Sequence, residues 1–148
     1  MPEFTERFSE VWYPLAIENA DSYGIATVNS AYVSLANYHR ALLVINVGDM
    51  QATATLDVGI QQATNTAGAG VKAISGKTIT QLTQAGGDGN DLVCIELRTE
   101  ELDVTGGFDC IRFYVTVAAA AVELSAVLYG GVPRFQPTVT TNWTEIVT

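Results

Sequence analysis

The sequence predicts an antiparallel all-β sandwich or barrel, on three observations. Most hydrophobic segments alternate apolar and polar residues at period two. Glycine-bearing turn segments, "NTAGAG" (65–70), "AGGDGND" (85–91) and "VTGGFD" (104–109), separate them at the spacing of about 8–12 residues typical of such folds. No long helical pattern lies between them, which disfavours a parallel α/β sheet. With 148 residues, 48% of them hydrophobic, the chain suits one domain with a real core and is too apolar to be disordered. Seven or eight strands are expected, with the sandwich over residues 24–131 and an arm at each end.

Residues 1–14 form the first arm. Phe4, Phe8, Val11 and Trp12 fall at helical spacing between Pro2 and Pro14, which fits a short amphipathic helix or an extended arm. "GIATVN" is a weak strand, and Tyr32, Val33 and Leu35 open another. "RALLVINVG" (40–48) is apolar at successive positions, as a central strand buried on both faces would be. "TATLDVGIQ" (53–61) sets Leu56, Val58 and Ile60 against Thr55, Asp57 and Gln61. "GVKAIS" and "KTITQL" are short and irregular, so they read as weak or edge strands. "DLVCIELR" (91–98) alternates through Val93, Ile95 and Leu97.

The segment "IRFYVTVAAAAVELSAVLYGG" (111–131) is the most apolar of all. Arg112 and Glu123 leave only residues 113–122 uncharged, far short of the about 20 that a membrane-spanning helix needs. Ile111, Phe113, Val115 and Val117 alternate with Arg112, Tyr114 and Thr116. Val122, Leu124, Ala126 and Leu128 alternate with Glu123, Ser125, Val127 and Tyr129, whose face is the less polar of the two outer faces. Four alanines favour helix locally, but the β-branched and aromatic residues on either side outweigh them. Two antiparallel strands joined near Ala118–Ala121 are expected. Residues 132–148 form the second arm, with two prolines, Phe135 and Trp143.

The net charge of −9 and pI of about 4.3 disfavour contact with nucleic acid and with anionic membranes. The N-terminus carries Glu3, Glu6 and Glu10 and has no apolar core, so it is not expected to be a signal peptide. A cytoplasmic origin follows, which makes the Asn142 glycosylation pattern a chance match and favours free thiols at Cys94 and Cys110. If the strands carrying them paired as a hairpin near Leu102, the two thiols would face each other, and a disulfide formed after assembly is the alternative.

No catalytic constellation emerges. His39, the single histidine, has no partnering nucleophile motif and reads as a surface residue at a strand end. Asp88, Asn90 and Asp91 in the glycine loop lack the spacing of an EF-hand, and a solvated turn is the plainer reading. Glu100, Glu101 and Asp103 are neighbours in one loop, not groups set across a cleft. No enzyme activity, cofactor or metal is expected. What remains is a set of candidate partner-binding residues on the arms: Phe4, Phe8, Trp12, Tyr13, Arg134, Phe135 and Trp143. Aromatic anchors carry much of the energy of protein interfaces. The alternative is that they pack back on their own domain.

The segments "NYHRALLVINVG", "QQAT", "ISGKTITQL" and "RFQP", within residues 30–137, resemble a group of tailed-bacteriophage virion proteins. That resemblance implies a jelly-roll-like sandwich acting as a capsid decoration, or cement, protein. It would be a homotrimer bound to the major capsid protein on the outer surface of the virion and made in the host bacterial cytoplasm. It implies no nucleic-acid or membrane partner. A tail, baseplate or head–tail connector component and a carbohydrate-binding virion module are the alternatives.

Overall fold

The computed structural model describes residues 6–135 and 142–147. A one-turn helix, α1 (Phe8–Val11), leads into β1 (Trp12–Tyr23). There follow β2 (Ala26–Asn29), β3 (Val33–Ser34), β4 (Tyr38–Met50), β5 (Thr55–Ala63), β6 (Lys72–Thr78) and β7 (Leu82–Thr83). The last three are β8 (Leu92–Arg98), β9 (Cys110–Ala118) and β10 (Val122–Pro133).

All pairings are antiparallel. One sheet runs β1-β10-β4-β8. The other runs β2-β9-β5-β6, with β3 also on β9 and β7 also on β5. Counting β2 with β3 and β6 with β7 as interrupted strands, each sheet is four strands wide. First pairs with last, and successive strands such as β4 and β5 cross between sheets. This is the order of an eight-stranded jelly roll built from two Greek keys. The expected all-β sandwich is therefore what forms.

Alternation builds the core. Along β4, Ala41, Leu43, Ile45 and Val47 point inward. They meet Leu56, Val58 and Ile60 of β5 and Ile111, Phe113 and Val115 of β9, all at most 2% exposed. At about 25 cal/mol per Å² of apolar surface, these side chains supply most of the drive to fold.

Three expectations need correction. The first arm is shorter than residues 1–14. Trp12 already pairs with Gly131, and β1 continues to Tyr23, so the sandwich starts well before residue 24. The stretch "ENADSY" gave no sign of this, because an edge strand can stay polar when only its partner's side is covered. Second, β4 is central but is not buried on both faces: Leu42 and Val44 are half-buried and Asn46 is exposed.

Third, β9 and β10 are strands joined at the alanines, but they do not pair with each other. The bend at residues 119–121 carries the chain from one sheet to the other, and Ala119 turns with φ +66°. The alternative hairpin of β8 with β9 does not form, since the two lie in different sheets. Both cysteines are free, with Cys94 exposed and Cys110 buried.

Candidate interaction surface

The outer face of the β1-β10-β4-β8 sheet can be read row by row from its register. At one end stand Trp12, Gly131, Arg40 and Arg98. Next come Pro14, Tyr129, Leu42 and Glu96, and then Ile17, Val127, Val44 and Cys94. Beyond these lie Ser125, Asn46 and Leu92, and Glu123 closes the far end over Gly48. Inward-facing neighbours make the core, so these residues must face out. An apolar band thus crosses the face. Ile17 is 51% exposed and Leu92 70%, with Leu42, Val44 and Val127 half-buried.

Phe8 from one end of the described chain and Asn142 and Trp143 from the other lie on the Trp12 end of this face. Phe8 stacks on Trp12 at 6.2 Å between centroids and meets Tyr129 edge-on at 6.4 Å. Trp143 lies 6.3 Å from Tyr129, and the Asn142 side-chain amide donates to the Pro14 carbonyl at 2.7 Å. Trp12 fits because Gly131, directly opposite, has no side chain: a Cβ there would strike the indole. The result is a raised aromatic rim. Phe8 stays 62% exposed, and the Trp143 Nε1 is buried with no acceptor among the described residues.

The structure therefore gathers Phe8, Trp12 and Trp143 into one cluster, held on their own domain and still partly open to solvent. Tyr13 is separate. It points to the core side at 4% exposure, and its hydroxyl donates to the Glu10 carbonyl at 2.7 Å. Arg134 and Phe135 lie beyond the end of β10, both exposed, with the Arg134 N–H donating to the Asn37 carbonyl at 2.7 Å. Phe4 lies outside the described residues.

Sequence reasoning missed Arg40, Arg98 and the band between them and Glu123. Arg40 and Arg98 face each other directly on β4 and β8. Like charges so placed repel, and Arg40 has no ion pair among the described residues, while Arg98 has Glu100 at 3.5 Å. The signal that pointed here was the apolar outer alternation of residues 122–129.

The acidic candidates make local contacts within the domain. Glu101 accepts from the Arg98 N–H at 2.7 Å and pairs with Lys77 at 2.9 Å. Asp103 pairs with Lys72 and accepts from the Gly106 N–H at 2.9 Å. Asp88 accepts from the Thr83 N–H at 2.7 Å and closes its loop. Among the described residues, no group of three or more His, Cys, Asp or Glu is placed to hold a metal ion. His39 is exposed on the rim of a hollow of about 330 Å³ with Phe108, Asp109 and Arg134. No described helix is long and apolar enough to cross a membrane.

No protein-family model and no curated protein matches the chain. Among solved structures, a chain in the structure of infectious bursal disease virus Gt strain is 11% identical. The match covers 90% of this chain and 42% of that one, with a TM-score of 0.28. The likeness is too distant to assign fold or function, and this chain spans less than half the length of that one.

Proposed function

We propose that this protein is a bacteriophage structural protein that binds the outer capsid surface as a decoration, or cement, protein. The observation that supports this reading best is the outer face of the β1-β10-β4-β8 sheet. It combines Trp12, Tyr129, Phe8 and Trp143 with Arg40, Arg98 and an exposed apolar band. Aromatics and arginine are the residue types that anchor protein partners, and the sheet backbone that carries Trp12, Tyr129, Arg40 and Arg98 is already ordered before binding. The sequence resemblance supplies the rest of the reading: the major capsid protein as partner and a homotrimer on the shell. Binding the assembled shell but not its dissociated subunits would stabilise it by mass action. The role needs no catalytic step and no cofactor.

Co-sedimentation with purified DNA-free shells tests the reading. Saturable binding that raises the shell's melting temperature is expected, with Val127→Asp abolishing it. A protein that stays in the supernatant at every shell concentration would sink the reading. Ring symmetry of six or twelve on the virion would move it to a tail, baseplate or connector role.

One observation favours a second reading, a carbohydrate-binding virion module. Trp12, Arg40, Glu96, Arg98 and Glu100 line a groove of about 320 Å³. An indole beside charged hydrogen-bonding groups suits a sugar ring. A glycan array with wild type and Trp12→Ala separates the two readings.

A further inference from the structure

We infer that, off the shell, a second copy of this chain covers the outer face of the β1-β10-β4-β8 sheet about a two-fold axis. The inference rests on the reading that this face makes the protein's contacts, and it names a second occupant for it. The axis runs along the row Ile17–Val127–Val44–Cys94, between the two facing sheets.

The argument begins with the placement of charge. Val44 and Val127 are directly paired. Four residues from them in one direction lie Arg40 and Gly131, also paired, with Arg98 beside Arg40. Four residues in the other direction lie Gly48 and Glu123, in contact with each other. The row is thus midway between a mixed end, where Arg40 and Arg98 stand among Glu96, Glu100 and Glu101, and an end closed by Glu123. Each is about 13 Å away at 3.3 Å per residue. At the mixed end Arg40 is the cation without an ion pair among the described residues. Rotation about the row lays each β4 antiparallel over its mate. Arg40 then meets the partner's Glu123, whose side chain lies over Gly48. Arg98 meets the head of the partner's β8, where Asp91 is exposed. The same contacts recur on the other side of the axis, as an isologous interface requires. Two copies stacked with strands parallel would instead set the two arginine-bearing ends over each other and leave Glu123 without an arginine opposite.

Shape follows the same symmetry. The rim of Phe8, Trp12 and Trp143 rises over β1 and β10 at the arginine-bearing end. At the Glu123 end the same two strands carry small residues, Ala20, Ser22 and Ser125. With Gly48 and Glu123 they line a depression of about 440 Å³. Rotation places each rim over the other copy's depression. The apolar rows meet at the axis and bury Val44, Val127 and Ile17, which solvent now reaches. Two sheets pack in this way at about 10 Å separation.

Magnitudes set the strength. The face is about 26 Å long and about 15 Å wide from strand geometry. That is about 400 Å² per copy, roughly half the about 800 Å² per partner of a standard interface, so the dimer is weak and gives way to a shell. Net charge of −9 on each copy opposes association. At physiological ionic strength this long-range repulsion is screened beyond about 8 Å, and the contact pairs persist.

The test uses the whole chain. Sedimentation equilibrium over a range of concentrations is expected to show monomer and dimer. Cys94 lies on the axis and is exposed, so a short bismaleimide should link two copies through it. Cys94→Ser should lose the linked dimer and Cys110→Ser keep it. Arg40→Glu and Glu123→Arg should each weaken the dimer roughly tenfold or more, and the double variant should restore it. A monomer at all concentrations, a trimer without Cys94 linkage, or a dimer indifferent to these charges would overturn the inference. Shell binding by a strictly monomeric protein would overturn it too and leave the decoration reading standing. A Cys94-linked dimer that ignores shells would do the reverse.

Discussion

Trp12 and Gly131 stand directly opposite each other across the β1–β10 ladder, and the indole occupies the space a side chain at 131 would fill. The aromatic rim depends on that vacancy. Gly131→Val is expected to destabilise the protein by about 1–3 kcal/mol, as overpacking does. It should also expel Trp12 toward solvent. Urea unfolding and a red shift of tryptophan emission read the two effects, and Gly131→Ala should show a smaller version of both.

Ala119 is the bend between the two sheets, with φ +66° and an exposed side chain. The Ala120 N–H donates to the Ala118 carbonyl at 2.8 Å, closing a tight three-residue turn around it. A Cβ in this left-handed region costs about 1–2 kcal/mol, and glycine avoids that at some cost in unfolded-state entropy. Ala119→Gly should therefore stabilise by roughly 0.5–1 kcal/mol, seen as a higher urea midpoint at unchanged slope. A lower midpoint would contradict the strained turn.

Glu101 and Asp103 shape the acid limb of stability. The Arg98 N–H foremost, and then Lys77, hold the Glu101 carboxyl below its ordinary 4.5. Lys72 foremost, and then the Gly106 N–H, hold Asp103 below 3.8. Unfolding restores the ordinary values, so the unfolded chain binds protons more readily. The stabilisation is full above pH 4.5 and is lost as pH falls through the lowered folded values. Both groups are well exposed, so the effect is modest. Glu101→Gln and Asp103→Asn should each flatten stability against pH below this point and leave its shape near neutrality unchanged.

The two thiols should differ sharply in reactivity. Burial foremost, aided by the Asp109 carboxylate, pushes the Cys110 thiol up to about 11 and disfavours its thiolate at neutral pH. Cys94 is exposed in the other sheet. Titration with a thiol reagent should label Cys94 rapidly in the native protein and Cys110 only after denaturation. Mild oxidation should leave no intramolecular disulfide, seen as an unchanged mass after alkylation. A bridge between them would require one sheet to open.

Most strands were legible because one face of each is covered, and burial writes itself into the chain as period two. Leu56, Val58 and Ile60 of β5 and Ile95 and Leu97 of β8 fell inward as the alternation required. β1 was not legible past Pro14, since an edge strand held by backbone hydrogen bonds to β10 needs few apolar side chains. The aromatic residues on both chain ends stood out by composition. Their convergence on Tyr129 did not, because nothing local in residues 8–12 and 143 states that they meet.

The amino-acid sequence by itself determined the fold class, an acidic all-β domain, and which residues of each strand are inward. These are consequences of alternation and turn chemistry within a few residues. The tertiary structure alone decided that β9 and β10 part at the alanines into different sheets and that the cysteines lie apart. It alone placed Arg40 against Arg98 and brought Phe8, Trp12 and Trp143 over Tyr129. Those are relations of register and sheet order between segments up to the length of the chain apart. They are set by which pairings bury the most apolar surface at once, and no single segment carries that information.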